Sequence, residues 1–164
     1  MLAGTKEKIS GYLKLLVRCE EAVADFYRAC ATTWPEERAF WEGLADEEVD
    51  HAVRLELLQA RVRLTPHGVG LLHPFPEGSL QTFVSSVEQD TKLARSGAIA
   101  MSEALSRARD LEQSLISSQP LRGLSFDDPR FEHYRKEVSA GFVNHARRIL
   151  ARLNERAPEV AAMA

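Results

Sequence analysis

Residues 44–52 read Leu-Ala-Asp-Glu-Glu-Val-Asp-His-Ala, so that Glu48 precedes His51 by three positions. Positions three and four apart are neighbours on one face of an α-helix. The neighbours of Glu48 on its face of the helix are apolar, namely Leu44, Ala45, Ala52 and Leu55, and His51 shares that face. The stretch therefore predicts a helix that turns a carboxylate and an imidazole towards a packed core.

This pattern occurs twice in the chain, with one change in the second copy. Each copy has a glutamate, a proline and a histidine in that order: Glu20, Pro35 and His51, then Glu112, Pro129 and His145. The spacing suits a hairpin of two helices whose middles lie at one level. A repeat of this kind constrains the fold more than local propensity does. It predicts a helical bundle with pseudo-twofold symmetry.

Composition bounds the class of protein. The 164 residues are 45% hydrophobic and 27% charged, as expected for one soluble domain over residues 1–164. A net charge of -3 without a basic cluster argues against nucleic acid and anionic membrane as partners. Because no apolar run approaches the roughly 20 residues of a membrane span and the start lacks a signal-peptide core, we expect a cytoplasmic protein. Cys19 and Cys30 are too far apart on one helix for a disulfide and should be reduced core thiols.

Apolar periodicity and turn residues predict the helices and their connections. The expected ranges are 5–31 for helix A, 35–62 for helix B, 79–95 and 101–118 for helix C, and 129–155 for helix D, with a frayed tail over 157–164. The two parts of helix C are either one kinked helix or two helices. Residues 63–78 are rich in proline and glycine and form a crossover long enough to run back along a helix. Two short turns around one long crossover predict an all-α, ferritin-like four-helix bundle, with the crossover between helices B and C.

Five ionisable residues lie among mainly apolar neighbours on one face of a predicted helix, and these are the candidate metal ligands. Glu20, Glu112 and His145 have mainly apolar neighbours, as Glu48 and His51 do, whereas Glu21 and Glu103 lie on solvent faces. A carboxylate isolated in an apolar core costs several kcal/mol unless it is paired, protonated or bound to metal. Glutamates from two helices with a Glu-x-x-His motif from each of the other two form a di-iron carboxylate site. This chain supplies five of those six ligands.

At residues 20–27 and 44–52 the sequence resembles the rubrerythrin branch of the ferritin-like superfamily. The resemblance implies two iron ions between four helices, which react with peroxide or dioxygen. It implies that the metal ligands are Glu20, Glu48, His51, Glu112 and His145, with the three glutamates catalytic. The chain has no Cys-x-x-Cys pair for a rubredoxin-like module, so an iron-dependent oxidoreductase of this type would need an external electron donor.

Phe142 is the departure from the family pattern, because it stands where the glutamate of the second Glu-x-x-His would be. Three carboxylates against two ferrous ions leave a charge of about +1, so we expect weaker binding at one position and one or two irons per chain. Zinc or manganese could use the same ligands. Glu137, the nearest other acid on helix D, lies on a different face and is a poor substitute.

A metal-free alternative stays open at this level. Arg54 and Arg148 each follow a candidate histidine by three residues and could turn inward to pair with the carboxylates. The bundle would then have a degenerate site and act as a structural or interaction module. The other three histidines, His67, His73 and His133, are expected at the surface.

The aromatic residues around the first turn, Trp34, Phe40 and Trp41, are expected to pack in the core. An exposed subset of them would form a dimer face, and a homodimer is the expected assembly.

Overall fold

The computed structural model describes residues 3–64, 67–71 and 77–162. In that part of the chain the helices and strands are α1 (Ala3–Thr33), α2 (Arg38–Leu64), β1 (Val69–Leu71), α3 (Glu77–Arg95), α4 (Met101–Ser118), β2 (Leu124–Phe126) and α5 (Pro129–Ala162). A turn of 3-10 helix, Pro35–Glu37, joins α1 to α2. The expected all-α class is confirmed, with two short strands added.

The directions of the first helices follow from their cross-contacts. α2 returns alongside α1, because the side chain of Gln59 near its end donates a hydrogen bond to the Ser10 carbonyl at 3.0 Å. α3 runs in the same direction as α1. The Thr33 hydroxyl at the end of α1 donates to the Ala94 carbonyl at the end of α3 at 3.0 Å. α3 therefore lies antiparallel to α2.

The predicted helix C consists of two helices that run in opposite directions. On α4, Glu112 accepts a hydrogen bond from Tyr27, and Pro120 beyond its end accepts one from Tyr12, so α4 is antiparallel to α1. The reversal occurs over residues 96–100. Gly97 there has φ +66°, a left-handed conformation that glycine adopts without steric cost. A single kinked helix is thereby excluded.

The predicted crossover at 63–78 accounts for only part of the return path. α2 ends at Leu64 and α3 begins at Glu77, while residues 65–66 and 72–76 lie outside the described part. Between them β1 pairs antiparallel with β2, with Gly70 opposite Ser125. A Cβ at Gly70 would overlap the Ser125 Oγ. α3 runs antiparallel to both α2 and α4. It therefore returns the chain to the end of the bundle where α2 began, and α4 starts there.

The last helix extends further than expected. α5 continues to Ala162 instead of ending near Glu155, so the tail predicted over 157–164 is helical as far as 162; residues 163–164 lie outside the described part. Arg152 and Arg156 pair with the buried Glu37, the last residue of the 3-10 turn before α2, at 3.2 and 2.8 Å. These ion pairs hold the C-terminal part of α5 against the turn between α1 and α2.

The aromatic residues near the first turn pack as expected. Trp41 is completely buried, and its ring lies 5.7 Å from that of Tyr27 and 5.2 Å from that of Phe40. Trp34 and Phe40 are partly buried against the same core. An aromatic dimer face is therefore not exposed here. No helix in the described ranges is both long and apolar enough to cross a membrane.

Candidate metal centre

The five candidate ligands come from four different helices and meet in the interior. α1 contributes Glu20, α2 contributes Glu48 and His51, α4 contributes Glu112, and α5 contributes His145. All five are buried, and the most accessible, His51, has an exposed fraction of only 7%. The burial predicted for these five residues is confirmed, whereas the burial of Glu37 and Asp90 was not predicted.

Glu48 lies at the centre of the cluster and contacts both histidines. Its Oε1 is 2.8 Å from Nδ1 of His145, and its Oε2 is 2.9 Å from Nδ1 of His51. Ligand atoms of these three residues all lie within 4.8 Å of one another. The separation is compatible with ligands of a common metal centre.

The other two glutamates flank this centre, one beside each histidine. Glu20 Oε2 is 3.7 Å from His51 Nδ1, and Glu112 Oε1 is 3.3 Å from His145 Nδ1. The cluster therefore divides into two half-sites that share Glu48. We call Glu20 and His51 the first half-site, and Glu112 and His145 the second half-site.

Burial and charge shift the proton affinities of the cluster strongly. Burial, reinforced by the Glu48 carboxylate, raises the pKa of Glu20 to about 8. For the histidines burial acts in the opposite direction, but the adjacent carboxylates outweigh it. They raise the pKa of His51 to about 9 and that of His145 to about 11. Without metal, both imidazoles are therefore protonated at neutral pH.

Several carboxylate oxygens in the cluster have no hydrogen-bond donor. Both oxygens of Glu20 and Oε2 of Glu112 are buried without a partner. Native interiors leave few buried polar atoms unsatisfied, and each one calls for an explanation such as an ion. These oxygens, together with the imidazole nitrogens, form a donor set that suits a divalent transition metal. The residues present fit such an ion.

Two supporting residues were not recognised from the sequence. Glu47 Oε2 lies 2.9 Å from Nε2 of His145, on the side of the ring away from Glu48, and Glu47 also pairs with Arg148. The Tyr27 hydroxyl donates a 2.6 Å hydrogen bond to Oε1 of Glu112. A carboxylate on the far nitrogen of a histidine is the usual outer partner of a metal ligand. Both contacts orient the second half-site.

The arginines do not neutralise the buried carboxylates. Arg54 donates to Glu137 at 3.0 Å, and Arg148 pairs with Glu47. Within the described residues the ion-pair partners of Glu20, Glu48 and Glu112 are His51 and His145 alone. The proposed inward pairing of the arginines is therefore wrong. The physical reason is that the carboxylates of Glu137 and Glu47, outside the buried cluster, are nearer to the guanidinium groups of Arg54 and Arg148.

Phe142 is buried, with an exposed fraction of 3%, and its ring meets that of His51 edge-on at a centroid distance of 6.3 Å. The preceding residue, Gly141, lies so close to His51 that a Cβ there would overlap Cε1 and Nε2 of the imidazole. Glu137 is committed to Arg54 and to His133, at 3.0 and 3.3 Å. It does not replace the missing carboxylate.

The remaining candidates lie away from the cluster. His67 and His133 are exposed, as expected, and His73 lies outside the described residues. Cys19 and Cys30 are buried and free. Glu21 and Glu103 are exposed, and Glu103 pairs with Arg107 on its own helix at 2.7 Å.

The chain matches no protein-family model, no curated protein and no solved structure.

Proposed function

We propose that this protein is a metal-binding, ferritin-like bundle of the rubrerythrin type, in which α1, α2, α4 and α5 hold the metal centre. Iron is the proposed metal, and the proposed activity is the reduction of peroxide or dioxygen. The observation that carries this proposal is the burial of three carboxylates and two imidazoles around Glu48, with three carboxylate oxygens lacking any donor.

The division into half-sites supports two ions, with Glu48 shared between them. Each half-site supplies one further glutamate and one histidine, and a centre of this type needs ligands from four helices. Because Phe142 stands where a fourth carboxylate would be, the second ion should bind more weakly than the first. One strongly bound and one weakly bound ion is the expected stoichiometry.

A cavity between α4 and α5 supports access for a small oxidant. Its volume is about 500 Å³, and Phe142 forms part of its wall. The same ring lies edge-on to His51 at a centroid distance of 6.3 Å, so the wall of the cavity adjoins the cluster. Peroxide or dioxygen entering from this side would require the Phe142 ring to move.

Bound ferrous iron would supply the electrons for reduction of the oxidant. The protein's own residues hold and orient the ligands: Glu48 contacts both histidines, Tyr27 fixes Glu112, and Glu47 fixes His145. The surrounding apolar side chains exclude water, which strengthens each electrostatic contact in the centre. An external donor would have to restore the ferrous state.

The direct test is metal content after anaerobic loading with ferrous iron and desalting, followed by peroxide consumption. We expect one to two irons per chain and turnover above that of free iron, both lost in Glu48→Ala. Metal binding without turnover would remove the oxidoreductase part of the proposal. Absence of bound metal would remove all of it.

A metal-free structural bundle is the competing function, and one observation favours it. Both histidines already pair with carboxylates, and the pKa values of about 9 and 11 for His51 and His145 describe a cluster that is charge-compensated by protons. Thermal unfolding with and without ferrous iron distinguishes the two functions. A ligand that binds only the native state must raise the midpoint, so an unchanged midpoint would support the structural role.

A further inference from the structure

The cavity between α4 and α5 has a largely apolar wall. Its volume is about 500 Å³, within the usual range for small-molecule sites. Five apolar side chains line it: Leu115, Ile116, Pro120, Phe142 and Val143. Val143 is 44% exposed, and covering exposed apolar surface with an apolar ligand is favourable. The cavity therefore offers both the space and the apolar surface that an organic ligand needs.

The residues of α5 show how the cavity is ordered from end to end. Arg135, Ser139 and Phe142 are separated by four and three positions, so they lie along one face of the helix. Arg135 and Phe142 are about 10 Å apart along the helix axis. Arg135 also donates a hydrogen bond to the Leu121 carbonyl, just beyond the end of α4, at 3.5 Å. This contact brings Arg135 to the end of the cavity that Arg122 lines, with Phe142 further along the helix.

Among the described residues, Arg122 supplies the uncompensated charge of this end. Arg135 pairs with Glu132 at 2.9 Å, whereas the Arg122 guanidinium donates to the neutral side-chain oxygen of Gln119 at 3.0 Å. In the part of the chain that the structure describes, no acidic side chain lines the cavity. A guanidinium presents paired donors that fit a carboxylate. One uncompensated cation is matched by a ligand with a single negative charge.

Gln119 holds Arg122 beside the cavity from an unusual backbone conformation. It caps the end of α4 with φ 46° and ψ 56°, in the left-handed region where glycine is the usual residue. A side chain costs stability in that region, and this one accepts the hydrogen bond from Arg122. Strained backbone of this kind often occurs at ligand sites. Gln119 is therefore a positioning residue for Arg122.

We propose that this cavity binds an organic carboxylate with an apolar body. The carboxylate is held by Arg122, and the apolar body lies along the wall towards Phe142. Burial of the apolar body supplies most of the affinity, while the charge-assisted hydrogen bonds select the head group. This binding goes beyond the proposed metal chemistry and does not require a bound metal.

Isothermal titration calorimetry of the full chain with octanoate tests the site, and octanol is the neutral comparison of the same length. We expect one octanoate per chain and octanol binding weaker by about tenfold or more, because the hydroxyl lacks the charge that Arg122 recognises. Arg122→Gln should lower octanoate affinity by about tenfold and leave octanol affinity unchanged. Arg95→Gln is the matched control, since Arg95 is exposed on α3 and outside the cavity. It should bind octanoate as the wild type does.

Gln119→Gly separates ligand binding from stability. Glycine relieves the left-handed strain, so the midpoint of thermal unfolding should rise by about 2–4 °C. Octanoate affinity should fall severalfold, because Arg122 loses the acceptor that holds it. A higher midpoint with unchanged octanoate affinity would overturn the positioning role of Gln119.

Filling the cavity tests its location. Ser139 is half-buried on the cavity face of α5, and Ser139→Leu should abolish the binding of octanoate and octanol alike. Circular dichroism checks the fold, and Val143→Trp is the second variant if Ser139→Leu does not fold. Three results would each overturn the proposal: no octanoate binding at millimolar concentration, equal affinity for octanol, or undiminished octanoate binding in Arg122→Gln or in a folded variant with a filled cavity.

Discussion

The two half-sites are built from the same repeat and are supported very differently. The second half-site lacks the motif glutamate, yet Tyr27 fixes Glu112 and Glu47 fixes His145. The first half-site has its motif glutamate, Glu48, but neither oxygen of Glu20 has a donor. The half-site with the complete sequence motif is therefore not the half-site whose ligands are held in place by hydrogen bonds. The half-site with the better motif is the one that has most to gain from a metal.

Loss of Glu48 should have the largest effect, because both half-sites share it. We expect Glu48→Gln to lower zinc affinity by about 100-fold or more at both positions, since the change removes a ligand charge at constant volume. Isothermal titration calorimetry with zinc measures the effect. Glu21→Gln, an exposed neighbour on α1, should bind as the wild type does. Near-normal titration of Glu48→Gln would contradict a shared ligand.

Restoring the missing carboxylate should strengthen the second ion. We expect Phe142→Glu to bring iron content from one to two per chain, and to lower the free energy of unfolding of the metal-free protein by several kcal/mol, because it buries a carboxylate. Elemental analysis and chemical denaturation with and without metal measure the two effects. Unchanged metal content would show that the lack of a carboxylate at position 142 does not limit metal binding.

Gly141 offers a way to disturb the first half-site alone. In Gly141→Ala the new Cβ overlaps the imidazole of His51, so the ring must shift from its present position beside Glu20 and Glu48. We expect a cost of about 1–3 kcal/mol in the free energy of unfolding and the loss of one of two zinc ions.

Gly43→Ala is the control for that change, because its Cβ would lie at an ordinary 3.6 Å from Arg148. It should stabilise α2 by roughly 0.5–1 kcal/mol and leave zinc binding intact. Two zinc ions in Gly141→Ala would show that His51 is not a ligand.

The outer partner of His145 should matter less than the ligands do. We expect Glu47→Gln to lower the affinity of the second half-site by about 10–100-fold and to spare the first. Glu56→Gln, an exposed change on the same helix, is the control. Equal weakening of both ions would assign Glu47 to the stability of α2 instead of to one half-site.

The sequence predicted the burial of the five candidate ligands, because ionisable residues stand out against apolar neighbours on one helical face. It did not predict Glu47, because a search for acids among apolar neighbours excludes a half-exposed residue. Glu47 belongs to the site only through its contact with His145 on a distant helix. The pairing of β1 with β2 was missed for the same reason. The reversal at Gly97 was left open, because glycine is compatible with a kink and with a turn. The local sequence pattern thus predicted which side chains are buried, whereas contacts between distant elements determine which residues they pair with.

The dependence of the free energy of unfolding on pH involves both half-sites. The pKa values of His51, about 9, and His145, about 11, lie above the ordinary 6.5, and that of Glu20, about 8, lies above 4.5. All three groups bind protons more tightly when folded. Their contribution is full below the ordinary pKa of each group and is lost as the pH rises through the folded values.

The midpoint of thermal unfolding of the metal-free protein should therefore fall between pH 6.5 and 9. Zinc competes with these protons for the same atoms, so the increase in midpoint that zinc causes should grow over that range. Measuring both midpoints across the same buffers separates proton compensation from metal binding. A metal-free midpoint that rises with pH would mean that the histidines are neutral in the folded protein. The buried carboxylates would then lack the positive charge that a metal-free structural role requires.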